Sequence, residues 1–162
     1  MWERSRNAQE APRVPDVVQT VHDGSTWLLR LEDGQDLFEA LSGFAAREGV
    51  RAGAVVFGIG MFRRATIGYW NGERYLPREL TEPHEVVGLH GTIAQADGRP
   101  SLHLHAALAG AGHDLVGGHL LQATVGALQE VLLTTFPGRA FGRPLVESFG
   151  LRMLDLEPGS QV

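Results

Sequence analysis

One domain of hairpin-linked strands with a single clear amphipathic helix is what this chain predicts, and three observations carry that reading. A length of 162 residues is enough for one hydrophobic core and short for two. Tight-turn pairs separate β-prone runs at Asp23-Gly24, Asn71-Gly72 and Asp97-Gly98. From Leu37 to Gly49, by contrast, Leu37, Leu41, Phe44 and Ala45 recur at helical spacing, with Phe38 widening the stripe.

In chain order, Asp16 to His22 and Thr26 to Leu31 form a first strand pair around Asp23-Gly24-Ser25. Asp33 or Asp36 caps the helix, and Gly49 suits its C-terminal end. The run from Ala52 to Gly60 reads as a buried central strand, and Phe62 to Trp70 as another. Gly58-Ile59-Gly60 lacks the third glycine and the following helix of a dinucleotide-binding loop. After Asn71-Gly72 the chain returns through Arg74-Tyr75-Leu76 to a break at Pro77. A strand from His84 to Gln95 then turns at Asp97-Gly98 into Leu102 to Leu108. Ala123 to Phe136 fits either a helix, through Leu128, Leu132 and Thr135, or a strand, through its Val, Thr and Leu content around Gly126. Leu151 to Leu156 is a short final strand. Residues 1–15 are expected to be a loose leading segment, 16–157 the domain and 158–162 a tail.

Composition narrows the chemistry. Apolar residues at 43% and charged ones at 20% suit a soluble globular protein, and no apolar run nears the roughly 20 residues of a membrane span. The N-terminal sequence carries charges and prolines where a signal peptide has an apolar core, so a cytoplasmic protein is expected. The absence of cysteine excludes thiolate ligands and a cysteine nucleophile, leaving His, Asp and Glu for any metal. A net charge of −5, from 14 basic and 19 acidic residues, disfavours direct nucleic-acid binding, although Arg63-Arg64 and Arg47 with Arg51 allow a local patch. Gly142-Arg143-Pro144 resembles the centre of a minor-groove hook but has Phe141 and Leu145 in place of basic flanks.

Four of the seven histidines lie between Ser101 and Leu121. In a strand His103 and His105 point to one face, because Leu102 and Leu104 alternate with them. His119 follows Gly117-Gly118, a pair free to fold the backbone back toward that strand. Three neutral imidazoles with an open fourth position describe a catalytic-type zinc site. The competing reading is three half-buried histidines, each hydrogen-bonded on its own. His113, in Ala-Gly-Ala-Gly-His-Asp, reads as a solvated loop residue. His90 lies on the strand neighbouring His103 and His105, either at the site or as a core or rim residue.

The stretches GIGMFRRATIGYW, HEVVGLHGTIAQADGRPSLHLHAALAGAGHDLVGGHLLQATVGALQEVLL and FGRPLVESFGLRMLDL resemble the plants-and-prokaryotes conserved (PPC) domain. The likeness runs from about Val17 to Leu156, and the carrying elements are Glu85 to Ile93 before an Asp-Gly turn, His103-Leu104-His105-Ala106, Gly117-Gly118-His119-Leu120 and Glu130-Val131. The resemblance implies an α+β fold, a mainly antiparallel sheet flanked by helix, assembled as a homotrimer, with Ala123 to Phe136 a strand. It also implies that His103, His105 and His119 hold Zn2+ or another divalent transition metal. His90 departs from the small polar residue usual in the family, so no role carries over to it. The fold is similar to that of acetolactate decarboxylase, whose zinc has three histidine ligands.

By that analogy the protein is a metal-dependent enzyme acting on a small carbonyl or keto-acid substrate. Glu130 is then the candidate acid/base and His90 an outer partner, although Glu130 equally suits an ion pair with Arg143 or with an exposed arginine. The alternative is a DNA-associated regulatory or interaction module in which the metal is structural. DNA-binding relatives among the plants use a separate hook that this sequence lacks.

Overall fold

The computed structural model describes residues 19–158. Strands β1 (Gln19–Asp23) and β2 (Thr26–Glu32) form the expected hairpin, with Gly24 at φ +57, a value that favours glycine. The Asp16 to Val18 start of the predicted first strand lies outside the described residues.

Helix α1 (Leu37–Arg47) buries Leu37, Leu41, Phe44 and Ala45, the four positions its spacing singles out. Asp36 caps it, its carboxylate accepting from the Glu39 backbone N–H at 3.0 Å, and Gly49 at φ +66 ends it. Asp33 does not cap the helix; its carboxylate accepts from the Ala127 backbone N–H at 3.1 Å and pairs with Arg63. Substituting Asp36→Ala is therefore expected to cost about 1 kcal/mol, read as a lower urea midpoint at unchanged slope, whereas the loss of an ordinary exposed carboxylate falls within about 0.5 kcal/mol.

The region expected to hold two strands is one continuous strand, β3 (Gly53–Trp70). Its glycines permit close approach to β7 (Leu115–Thr135) rather than a break: a Cβ on Gly60 would lie 2.3 Å from the Leu128 carbonyl oxygen. The β3–β7 register shifts there, from Gly60 opposite Gln129 to Met61 opposite Gly126, and the bulged Ala127 takes φ +59. The break expected at Pro77 is also absent. Pro77 sits inside β4 (Tyr75–Leu80), which is an edge strand, where a missing N–H is tolerated.

Strands β5 (His84–Ala96) and β6 (Arg99–Ala109) pair across Asp97 and Gly98, both at positive φ as a two-residue hairpin turn requires. Strand β7 resolves the ambiguity of Ala123 to Phe136 in favour of extended chain. Its C-terminal half lies between β2 and β3, and two sets of ladder bonds outweigh local helical spacing. The final strand is shorter than expected, with β9 (Leu151–Arg152) pairing only with β8 (Leu145–Val146). Beyond it, Asp155 and Gly142 exchange backbone hydrogen bonds at 2.7 and 2.9 Å and hold the segment against β5.

The main sheet runs β1-β2-β7-β6-β5-β3-β4, all antiparallel, and the added β7–β3 pairing closes β3, β5, β6 and β7 into a ring. This is a single α+β domain, with α1 packed across β6 and β7. Phe44, Phe62, Leu29, Leu31, Leu104 and Leu133 are fully buried at its centre. Each contributes on the order of 1.5–3 kcal/mol of burial, enough to set strand register. No helix among the described residues is long and apolar enough to cross a membrane.

Candidate metal centre

Burial of Leu104, Ala106 and Leu108 fixes one face of β6 against the core, and strand alternation then turns His103 and His105 to the other face. Cross-strand pairing extends that row. His90 on β5 and His119 on β7 both lie directly opposite His105, while Thr92 lies opposite His103.

His119 reaches the row by a route other than a bend at Gly117-Gly118. The chain reverses earlier, between Gly110 and Asp114, where exposed His113 takes φ +64. Both glycines lie within β7 and let neighbouring backbones close in: a Cβ would stand 2.5 Å from the Ala106 oxygen at Gly117, and 2.8 Å from the Gly68 oxygen at Gly118.

One ring nitrogen from each of His103, His105 and His119 lies within 4.8 Å of the others, and the Nε2 atoms of His103 and His105 are 3.2 Å apart. Nitrogens about 2.05 Å from one tetrahedral zinc would be about 3.4 Å apart; the His103–His105 pair stands near that spacing, and the three rings need only a small inward adjustment to share an ion. The ring centroids are 4.9 to 5.4 Å apart. Tyr75 stacks on His119 at 4.5 Å and 25°, fixing the plane of that ring. The buried Nδ1 of His119 has no hydrogen-bond partner among the described residues.

Electrostatics favour the ligating form. Burial, with the charge of Arg143 and then of His105, holds His103 below the usual histidine range. Burial and then His90 lower His105. Burial, followed by His103, His105 and Arg143, pushes His119 down to about 4. Neutral rings at physiological pH are what a divalent cation requires. Donor type, spacing and protonation thus fit a zinc-like ion, and the three histidines could hold one.

Of the other expected residues, His90 joins the row without joining the cluster, its ring stacked 6.4 Å from that of His105 and exposed. Glu130 is not brought to the site. It lies on β7 opposite Arg30 and Ile59 and is neither in the histidine cluster nor among the residues bordering the cavity beside it. Its suggested pairing with Arg143 is not formed either.

Arg143, which stands out in the sequence only as the centre of an incomplete hook motif, is 5% exposed, and its Nη2 donates to the Thr92 hydroxyl at 2.8 Å. The available signal is a lone arginine in a mostly apolar stretch, Phe141 to Val146. Beside the cluster opens a cavity of about 590 Å3, bordered by Tyr75, Thr92, His103, His119 and Arg143.

A β-rich α+β domain carrying a histidine triad on paired strands defines the class of protein. This chain belongs to the PPC family: the model for the Plants and Prokaryotes Conserved (PCC) domain matches residues 18–137. A metal-containing protein from Archaeoglobus fulgidus is similar in structure at 34% identity and TM-score 0.75, over 85% of this chain and 96% of that one. A PPC protein from Pyrococcus horikoshii is similar at 26% identity and TM-score 0.74, over 88% and 96%. A protein from Ralstonia eutropha, named for a conjectured DNA-binding role, is similar at 25% identity and TM-score 0.78, over 85% and 96%. Among curated proteins, the bifunctional protein GlmU of Synechococcus sp. strain JA-3-3Ab is 39% identical over 93 residues, 57% of this chain. The chain spans 14% of that relative's length and 20% of the corresponding protein of strain JA-2-3B'a(2-13).

Proposed function

We propose that this chain is a metal-binding interaction module of the PPC family, DNA-associated and regulatory, working in the cytoplasm as a homotrimer. A zinc-like divalent ion held by His103, His105 and His119 orders the module. The observation that carries this reading is the gathering of three neutral imidazoles from two paired strands. The metal in the Archaeoglobus relative supports the ion, and the description of the Ralstonia relative supports the DNA-associated role. A net charge of −5 favours association through a protein partner over a direct grip on phosphates.

A metal-dependent enzyme for a small carbonyl or keto-acid substrate is the second reading, and the cavity beside His103 and His119 favours it. A bound ion would supply Lewis-acid polarisation of a carbonyl or activation of water. Thr92 and Arg143 would position the substrate, with His90 the nearest further titratable group in the row. Glu130 does not border the cavity, so this reading does not use it as the acid/base.

Metal analysis of untagged protein is expected to find about one ion per subunit, with chelation lowering both the melting temperature and the trimer fraction. No shift of generic or AT-rich DNA is expected from the chain alone at low salt. A direct shift would overturn association through a partner, and chelator-sensitive turnover of a 2-oxo acid panel would decide for the enzyme.

A further inference from the structure

We propose that the cavity beside the histidine cluster binds a small aliphatic carboxylate, with Arg143 as the cation that anchors it. The proposal rests on the metal-binding reading for part of its charge, and on Arg143 independently of it.

Arg143 is 5% exposed, and its guanidinium cannot shed its proton to escape the cost of burial. None of the ion pairs among the described residues includes it, and its buried Nε has no hydrogen-bond partner there. Thr92 supplies one neutral acceptor, which satisfies a single N–H and no charge. A buried cation of this kind calls for an anion.

The cavity wall does not supply one. Its described lining contains no Asp or Glu, and its other ionic residue, Arg152, is neutralised by Asp97 at 2.6 Å. An ion on the histidines would add two positive charges beside Arg143, whose charge already acts on His103 and His119. The electrostatic complement is therefore a negative group from solution.

The remaining wall selects the rest of the molecule. Leu102, Leu151, Met153 and Leu154 border the cavity, so its polar end at Arg143 faces an apolar remainder. Arg152 pins this wall in place, donating to the Arg143 carbonyl oxygen at 3.1 Å as well as to Asp97. A volume of about 590 Å3 is of the size of small-molecule sites and has room for a short branched acid. A planar guanidinium recognises a planar carboxylate with two parallel hydrogen bonds, which an alcohol or amine of the same shape cannot form.

Calorimetric titration of the untagged full chain, metal-loaded and chelated, would compare isovalerate with its neutral isostere 3-methylbutan-1-ol. Loaded protein is expected to prefer isovalerate by at least about tenfold. R143Q should lose the preference while keeping its metal. M153E, at a position 45% exposed and therefore tolerant of charge, should lose it by placing an internal carboxylate in the wall. Equal binding of acid and alcohol by loaded wild type, or a preference surviving in M153E, overturns the proposal whether or not R143Q folds. Metal content is read separately. Protein that takes up no metal when offered it, yet prefers isovalerate and loses the preference in M153E, refutes the metal reading alone; loaded protein without the preference refutes the carboxylate site alone.

Discussion

Substituting His103→Ala is expected to weaken zinc binding by more than the roughly 10–100-fold that loss of an outer partner of a metal site costs, because it removes one of the three donors gathered among the described residues. Competition with a coloured chelator measures this directly, and an unchanged affinity would remove the histidine cluster from metal chemistry. The fold should survive, since the side chain faces away from buried Leu104 and its loss opens no core cavity. Acid should act on the same atoms. His119 is pushed from 6.5 to about 4, and His103 and His105 are also lowered, so the unfolded chain takes up protons at a higher pH than the folded one. Stability of the metal-free protein is therefore fully present above about 6.5 and declines as pH falls toward about 4. Bound metal excludes protons from the ligating nitrogens, so the loaded protein should keep its stability to lower pH and then lose metal and stability together. Urea titrations of both forms between pH 7 and 4 would reveal this, and identical pH profiles would show that the ion is bound elsewhere.

What is legible in the sequence follows the range of the forces involved. His103 and His105 share a face because Leu102 and Leu104 alternate with them, a local fact visible in a few letters. Helix α1 is equally plain, since its buried positions and its Asp36 cap lie within one short segment. His119 can be named from the sequence, but its route cannot: a double glycine reads as a bend unless it is known that Ala106 on one side and Gly68 on the other press against those residues. The lengths of β3 and β7 are hidden for the same reason, because the ladders that carry them through Gly60 and Gly126 join residues far apart in sequence. Glu130 is placed by the same kind of pairing, since the β3–β7 ladder sets it opposite Ile59, a residue far from it in sequence. Arg143 goes unmarked because its partner Thr92 is 51 residues earlier, and nothing local identifies it as buried.

A single methyl group at Gly91 should do more damage than the loss of a metal ligand. Gly91 stands on β5 between Val55 of β3 and Leu104 of β6, and a Cβ built there would lie 1.9 Å from the His103 carbonyl oxygen and 2.9 Å from the Leu104 Cα. Both contacts are backbone, so no side-chain rotation relieves them; β5 and β6 must separate, or the ring of strands must deform. Replacing glycine in a strand ordinarily gains a fraction of a kcal/mol by restricting the unfolded chain, which is small beside a forced backbone shift. Gly91→Ala is accordingly expected to lose about 3 kcal/mol or more, seen in urea unfolding, and to weaken metal binding because the displaced strand is the one that carries His103 and His105. Gly88→Ala on the same strand is the matched control. Its added Cβ would meet nothing within 4 Å, so the change should stay within about 1 kcal/mol, with metal affinity intact. Similar losses at the two positions would trace the effect to the strand's general tolerance of alanine. A loss confined to Gly91 would locate it at the close passage of β5 over the His103 backbone, and make that approach a condition for the histidines sharing one centre.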